Sequence, residues 1–256
     1  MLGAIAGDVI GSIYEAAPIK TTDFSLFGAG ATFTDDTVCT VAIAEALLQR
    51  RPFAETLRAW VRRHPGRGYG GMFLRWAMTP GMEPYGSWGN GAAMRVAAIG
   101  HLAEDETGLL ELAAASAAVS HDHPDAIAGA QAAALAIWLA RAGHDQAAIR
   151  ARIATAFAYD LGATVAEIRA WYRFDVSCKG TVPPAIVCAL EAQDFEDAVR
   201  NAVSLGGDAD TLACITGGIA EALYGLPEEI AKETRRRLEP DLLAVVDEVY
   251  ARRTGA

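Results

Sequence analysis

Cysteine pairing is missing from this chain. Its four cysteines, Cys39, Cys178, Cys188 and Cys214, show no CxxC spacing, and three of them lie in apolar stretches. That excludes a disulfide framework and a thiolate zinc site, and reads as small core residues in a reducing compartment. A basic excess is missing too. The formal net charge is −10, which excludes a nucleic-acid footprint built on phosphate neutralisation. A phosphate-bearing substrate would need help from a cation or from helix N-termini. No uncharged stretch is long enough to span a bilayer. The first residues carry Asp8 and Glu15 in place of a basic region, so no signal peptide is expected. Together these absences predict a cytoplasmic protein without membrane or nucleic-acid partners, and nothing in the sequence demands an oligomer, so a monomer is expected.

β-Branched alternation is scarce, and Ala, Leu, Arg and Glu dominate, so the chain reads as helical almost throughout. Helices are predicted over 2–14, 36–50, 54–63, 92–103, 107–119, 124–142, 145–159, 182–192, 194–203, 210–224, 228–237 and 242–253. The irregular segments 16–33, 65–91 and 171–181 are rich in glycine, aromatic and polar residues, as binding loops on a rigid scaffold are. No linker, charge block or repeat divides the chain. With 256 residues, 52% of them hydrophobic and 21% charged, it is expected to form one all-α domain over 1–256. Gly3, Gly7 and Gly11 repeat every four residues in the first helix. Each glycine costs about 1 kcal/mol against alanine there, so the stripe needs a reason, and close approach of another helix supplies one.

What is present in unusual amount is paired carboxylate. Thr34-Asp35-Asp36-Thr37 opens one apolar helical run and Asp208-Ala209-Asp210-Thr211, after Gly206-Gly207, opens another. A helix start needs one capping residue, and each of these has two acids flanked by threonine. Buried without a counter-charge, four carboxylates are expensive. Hard oxygen donors suit Mg²⁺, Mn²⁺ or Ca²⁺, so the two clusters are expected to meet around a cation, two independent caps being the alternative. The second cluster also partly matches the Asp-x-Asp-x-Thr pattern of haloacid-dehalogenase-type phosphatases, with its threonine one position early. There the first Asp follows a buried strand; here a helix end and a glycine turn precede it.

Ser87-Trp88-Gly89-Asn90-Gly91 enters a helix through small residues, a geometry that can receive a phosphate oxygen or simply make a capped turn. Ser120-His121-Asp122-His123-Pro124 joins two helices. A zinc site from His121 and His123 lacks a third nitrogen or sulfur ligand at useful spacing, which leaves a polar pocket wall or a plain turn capped by Asp122.

Taken in order, these blocks resemble the ADP-ribosylglycohydrolases, the family of dinitrogenase reductase-activating glycohydrolase and the ADP-ribosyl-acceptor hydrolases. The resemblance runs through Gly3-Ala4-Ile5-Ala6-Gly7-Asp8 to Glu15, Thr34 to Thr37, Ser87 to Arg95, Ser120-His121, Asp175 to Pro183, and Gly206 to Thr211. It implies an all-α, single-domain orthogonal helix bundle with two Mg²⁺ ions, or Mn²⁺, at the floor of a cleft. By the same resemblance Thr34, Asp35, Asp36, Asp208, Asp210 and Thr211 are metal ligands. Ser87, Trp88, Gly89, Asn90 and Gly91 cradle the diphosphate and distal ribose of ADP-ribose with His121 nearby. The loop 174–181, with Phe174, Cys178 and Gly180, closes over the adenosine end. Lys179 departs from the glutamine expected there. The implied reaction is hydrolysis of the bond between ADP-ribose and an N- or O-linked acceptor, a protein side chain or an acetyl ester. Glu15 or Asp35 acts as base, Glu15 being favoured. Crystallin-like members of the family make non-catalytic ADP-ribose binding the alternative.

Overall fold

A computed structural model describes residues 1–254. Its helices are α1 (Leu2–Gly11), α2 (Asp35–Gln49), α3 (Phe53–Arg63), α4 (Gly71–Met78) and α5 (Ala97–Leu102). Then follow α6 (Glu106–Ala118), α7 (Pro124–Arg141), α8 (Gln146–Phe157), α9 (Val165–Trp171) and α10 (Cys178–Glu191). The chain ends with α11 (Phe195–Val203), α12 (Ala209–Tyr224), α13 (Glu228–Arg235) and α14 (Pro240–Thr254). Among the described residues there is no strand; an isolated antiparallel bridge pairs Gly89 with Ser177. The fold is all-α.

Two helices at the centre decide where the site forms. Every residue of α1 is buried, and its glycine stripe faces α12. A Cβ at Gly7 would lie 1.9 Å from the Ala213 carbonyl oxygen, one at Gly11 2.4 Å from Ala209 O, and one at Gly3 2.5 Å from Gly217 O. Gly217 answers from the other side, where a Cβ would sit 2.2 Å from Gly3 O. Only glycine on α1 lets the two backbones touch. This contact brings the acidic N-terminus of α12 beside the C-terminal half of α1, while α7, α10 and α11 pack around the rest of α12.

Helix starts follow local chemistry. Asp105, Asp145, Ser177 and Asp194 each accept a first-turn N–H at 2.8 or 2.9 Å, the expected use of these residues. Thr164 and Glu167 close a capping box on α9. That helix was legible as Thr-x-x-Glu before an apolar residue, although the periodicity alone does not predict it. The helix predicted over 92–103 is instead a 3-10 turn, Asn90–Ala92, followed by the short α5. Arg95, between them, is fully buried. Likewise α10 begins at Cys178, four residues before the predicted start, with Pro183 and Pro184 inside it. Proline at 184 removes the N–H that Gly180 O would accept, and the Tyr172 hydroxyl takes that carbonyl at 3.1 Å.

Candidate active site

The site is built outward from Asp8, the one charged residue of α1. Its fully buried carboxylate accepts from Thr34 N at 3.0 Å, Thr34 Oγ1 at 2.7 Å and Thr37 N at 3.1 Å, and from the Thr37 hydroxyl. Asp8 thus caps α2 from a different helix, where the helix dipole favours a negative charge. This pins the whole Thr34–Thr37 turn onto α1. The Thr34 hydroxyl is spent on Asp8 and on Asp36 N, at 3.3 Å.

Asp36 is 2% exposed, and its Oδ1 has no hydrogen-bond partner, while Oδ2 accepts from Thr211 Oγ1 at 3.3 Å. An orphaned buried carboxylate oxygen is costly and calls for a cation. Across the cleft floor Asp208 accepts from Asn90 Nδ2 at 2.7 Å, and Asp210 from Thr211 N at 3.0 Å. Carboxylate oxygens of Asp8, Asp36 and Asp210 lie within 4.8 Å of one another, and so do those of Glu15, Asp208 and Asp210. Asp210 belongs to both groups, so the acidic turns from opposite ends of the chain do meet. Burial, and then the charge of Asp210, pushes Asp36 well above the usual carboxylate range; burial, and then Asp208, does the same to Asp210. Burial with repulsion from Asp208 and Asp8 raises Glu15. The donors are all oxygen and all anionic, which fits a hard divalent cation.

Asp35 stands slightly apart. It is half-buried, its N–H donates to Arg67 O at 2.7 Å, and its carboxylate faces the cleft beside Gly68. Burial, with Asp8 next in effect, pushes it up to about 8. A carboxyl that titrates higher folded than unfolded stabilises the fold fully below its unfolded value, and loses that contribution as pH rises through its folded value. For Asp35 the window runs from 3.8 to about 8. Cation-free protein is therefore expected to melt at progressively lower temperature as pH climbs through this window. Added Mg²⁺ should restore most at the alkaline end. Thermal melts with chelator and with Mg²⁺ check this, and a cation-free melting temperature that rises toward pH 8 would contradict it.

A third acidic group, His64 with Glu239 and Asp241, lies elsewhere. Arg67 already pairs with Glu239 at 2.6 Å and Arg63 with Asp241 at 3.4 Å, so it is an ion-pair network.

A cleft of about 360 Å³ opens above the carboxylates. Ser87, Gly89, Asn90, Gly91 and His121 line it together with Glu15, Asp35, Asp36, Asp208, Asp210 and Thr211. The Ser87–Gly91 wall is held from two sides. Tyr85 N and Gly86 N donate to Ser120 O and Asp122 Oδ1, and Asn90 N donates to Val176 O at 2.7 Å. Trp88 and Phe174 do not line the cavity; they stand 49% and 56% exposed. Cys178 is buried behind the wall, its Sγ 3.3 Å from Gly89 O. Gly180 packs against Asp175, whose Oδ2 would be 2.0 Å from a Cβ there. Thr34 reaches the cleft only through its neighbours.

His121 faces the cleft while His123 caps α7, accepting Asp125 N at 3.1 Å, so the two do not converge on zinc. Asp122 holds Gly86 where capping of α7 was the simple expectation. No strand precedes Asp208 among the described residues, which removes the structural premise of the phosphatase reading. Residues the sequence left without a role are Asp8, Arg95 and Ser120, all buried, and the wall of Met72, Phe73 and Tyr85. Asp8 and Arg95 were the findable ones, each a lone charge in an otherwise apolar run.

Comparison with known proteins gives a consistent picture. A family model described as ADP-ribosylglycohydrolase matches residues 1–256. The chain is 25% identical to ADP-ribosylhydrolase ARH3 of Homo sapiens over 327 aligned positions, covering 95% of this chain and 90% of that one. An uncharacterized protein of Archaeoglobus fulgidus is 29% identical, covering 89% and 88%. A solved structure titled "ADP-ribosylglycohydrolase-related protein complex" superposes with a TM-score of 0.74 at 25% identity, over 97% of this chain and 96% of that one.

Proposed function

The chain belongs to the ADP-ribosylglycohydrolase family, and we propose that it is a Mg²⁺-dependent hydrolase releasing ADP-ribose from an N- or O-linked acceptor. The observation that carries this reading is the meeting of the two acidic turns around Asp210, with Asp36 Oδ1 left unpartnered in the cleft floor. Asp36, Asp208 and Asp210, with Asp35 and Thr211, would hold two Mg²⁺ ions, and Mn²⁺ suits the same donors. Thr34, a ligand by the family resemblance, has its hydroxyl on Asp8 and Asp36 N here and would instead hold the turn that carries Asp35 and Asp36. Bound there, the cations supply Lewis acidity and offset the clustered negative charge.

The protein's own groups account for the rest. Cleavage at C1″ of the distal ribose proceeds through an oxocarbenium-like transition state. A water must therefore be held and relieved of its proton as the bond to the acceptor breaks. Glu15 lies at the cleft edge with its oxygens beside Asp208 and Asp210, and its raised affinity for protons suits a general base. Asp35, which also lines the cleft, is the second carboxylate placed for that role. The Ser87–Gly91 wall and His121 would receive the diphosphate and distal ribose, and the loop 174–181, with Phe174 exposed, the adenosine end. Glu15 falls where the serine-directed members of the family carry a glutamate, and this resemblance tips the acceptor toward an O-linked one such as ADP-ribosyl-serine or O-acetyl-ADP-ribose. No helix among the described residues is long and apolar enough to cross a membrane.

The test is ADP-ribose release from ADP-ribosyl-arginine, an ADP-ribosyl-serine peptide and O-acetyl-ADP-ribose, each with and without Mg²⁺. Metal-dependent release from at least one is expected. ADP-ribose binding with turnover of none would move the protein to the non-catalytic reading.

A further inference from the structure

Arg95 is fully buried and has no carboxylate partner among the described residues. Its Nη2 donates at the C-terminus of α6 to Ser116 O at 2.8 Å and Ala117 O at 3.3 Å, while Nε and Nη1 have no hydrogen-bond partner among those residues. Helix C-terminal carbonyls favour a cation. The same Nη2 donates to Ser120 Oγ at 3.0 Å, and Ser120 Oγ lies 2.8 Å from His121 Nδ1.

These bonds fix a direction. A guanidinium only donates, so toward Arg95 the Ser120 oxygen is an acceptor. Ser120 is fully buried, and among the described residues Nδ1 of His121 is the acceptor within reach of its hydroxyl hydrogen. Leaving a buried hydroxyl hydrogen unmet is costly. Hence the hydroxyl donates to Nδ1, and Nδ1 carries no proton. Burial, then the nearby Arg95 charge, holds His121 well below the usual imidazole range, so the ring is neutral. The remaining proton sits on Nε2. That atom lies against Gly89 and Gly91, 3.5 Å and 3.1 Å from where their Cβ atoms would be, on the cleft wall. The rings of Phe73 and Tyr85, with centroids 6.0 and 5.7 Å away, hold the imidazole in place.

We propose that Arg95 and Ser120 are positioning residues that lock His121 as the tautomer with its proton on Nε2, presenting a fixed N–H donor to a diphosphate oxygen of the ligand. In the opposite tautomer a bare nitrogen would face the phosphate and repel it, so the relay discriminates for an anionic ligand in a chain of net charge −10. The ligand's identity rests on the ADP-ribose reading above; the tautomer does not.

The experiment is imidazole ¹⁵N NMR of the intact protein, paired with ADP-ribose titration, for wild type and Ser120→Ala. Wild type is expected to show neutral His121 protonated at Nε2. Ser120→Ala should show mixed tautomers and bind ADP-ribose about 5- to 10-fold more weakly, the weight of one well-placed hydrogen bond. A proton on Nδ1 in wild type overturns the relay, and so does an unchanged tautomer and affinity in Ser120→Ala. Wild type with the Nε2 proton but no affinity for ADP-ribose supports the relay and defeats the ligand assignment instead.

Discussion

Asp210→Asn is expected to abolish Mg²⁺-dependent release of ADP-ribose, lowering kcat/KM by at least ~10³-fold, since a Lewis-acid site contributes several kcal/mol to a transition state. Asp210 is the residue common to both carboxylate groups on the cleft floor, so its charge bears on every donor there. The substitution keeps shape and removes charge. Because burial and mutual repulsion are what raise Asp36 and Asp210, removing one charge should also stabilise the cation-free fold. The variant should therefore melt higher than wild type in chelator and gain less from Mg²⁺. Loss of activity together with a lower melting temperature in chelator would mean that Asp210 supports the fold and not a cation. Full activity would remove the cation from the mechanism.

Gly7→Ala is expected to be among the most destabilising single changes in the protein. The added methyl would lie 1.9 Å from Ala213 O and 2.4 Å from Ala213 C. Both are backbone atoms of a buried helix, with no flexible side chain to move aside. Overpacking a core commonly costs about 1–3 kcal/mol, more where neither side yields. A loss of about 3–5 kcal/mol is expected here, a drop of roughly 6–20 °C in Tm for a chain of this size. Gly71→Ala is the control: a Cβ there meets nothing within 4 Å, and its effect should stay within about 0.5 kcal/mol. If Gly7→Ala matched Gly71→Ala in thermal melts, the α1–α12 contact would not be as tight as described. The functional consequence follows from the fold. Forcing α1 from α12 separates Asp8 and the turn it pins from Asp208 and Asp210, so surviving folded protein should also bind Mg²⁺ more weakly.

Much of this was written in the sequence. The spacing of Gly3, Gly7 and Gly11 announced a close helix contact, and four aspartates in two threonine-flanked turns announced a shared site. The acidic turns named each other as partners, but the glycine stripe did not name its own. That α12 is the helix against the stripe follows from three-dimensional packing, as does the delivery of both acidic turns to one floor. Asp8 shows the limit plainly. Its chemistry is that of a helix cap, yet it caps α2 from α1, and capping patterns read along a chain find only local partners. Helix boundaries went astray for equally physical reasons. Residues 92–103 have helical composition, but the stretch 93–96 is not helical, and within it Arg95 is buried with its Nη2 on the carbonyls at the end of α6. The start of α10 was hidden because Pro183 and Pro184 read as a boundary, when Tyr172 supplies the donor that one of them removes. Cys178 and Gly180 sit in the family-like segment, yet their immediate contacts are with the backbone of Gly89 and the side chain of Asp175.

The clustered acids put stability and function in opposition. Asp8, Asp35, Asp36, Asp208 and Asp210 are all raised by burial, so ionising them without a cation opposes folding at neutral pH. Such opposition is ordinary at sites that must hold a reactive arrangement. It also gives a direct handle on the central claim, which is that this floor holds divalent cations. Calorimetric titration of chelator-treated protein with Mg²⁺ at pH 8 is the measurement. Saturable binding of two ions per chain, accompanied by proton release and lost in Asp210→Asn, is the predicted result. Absence of saturable binding in the folded wild-type protein would contradict it.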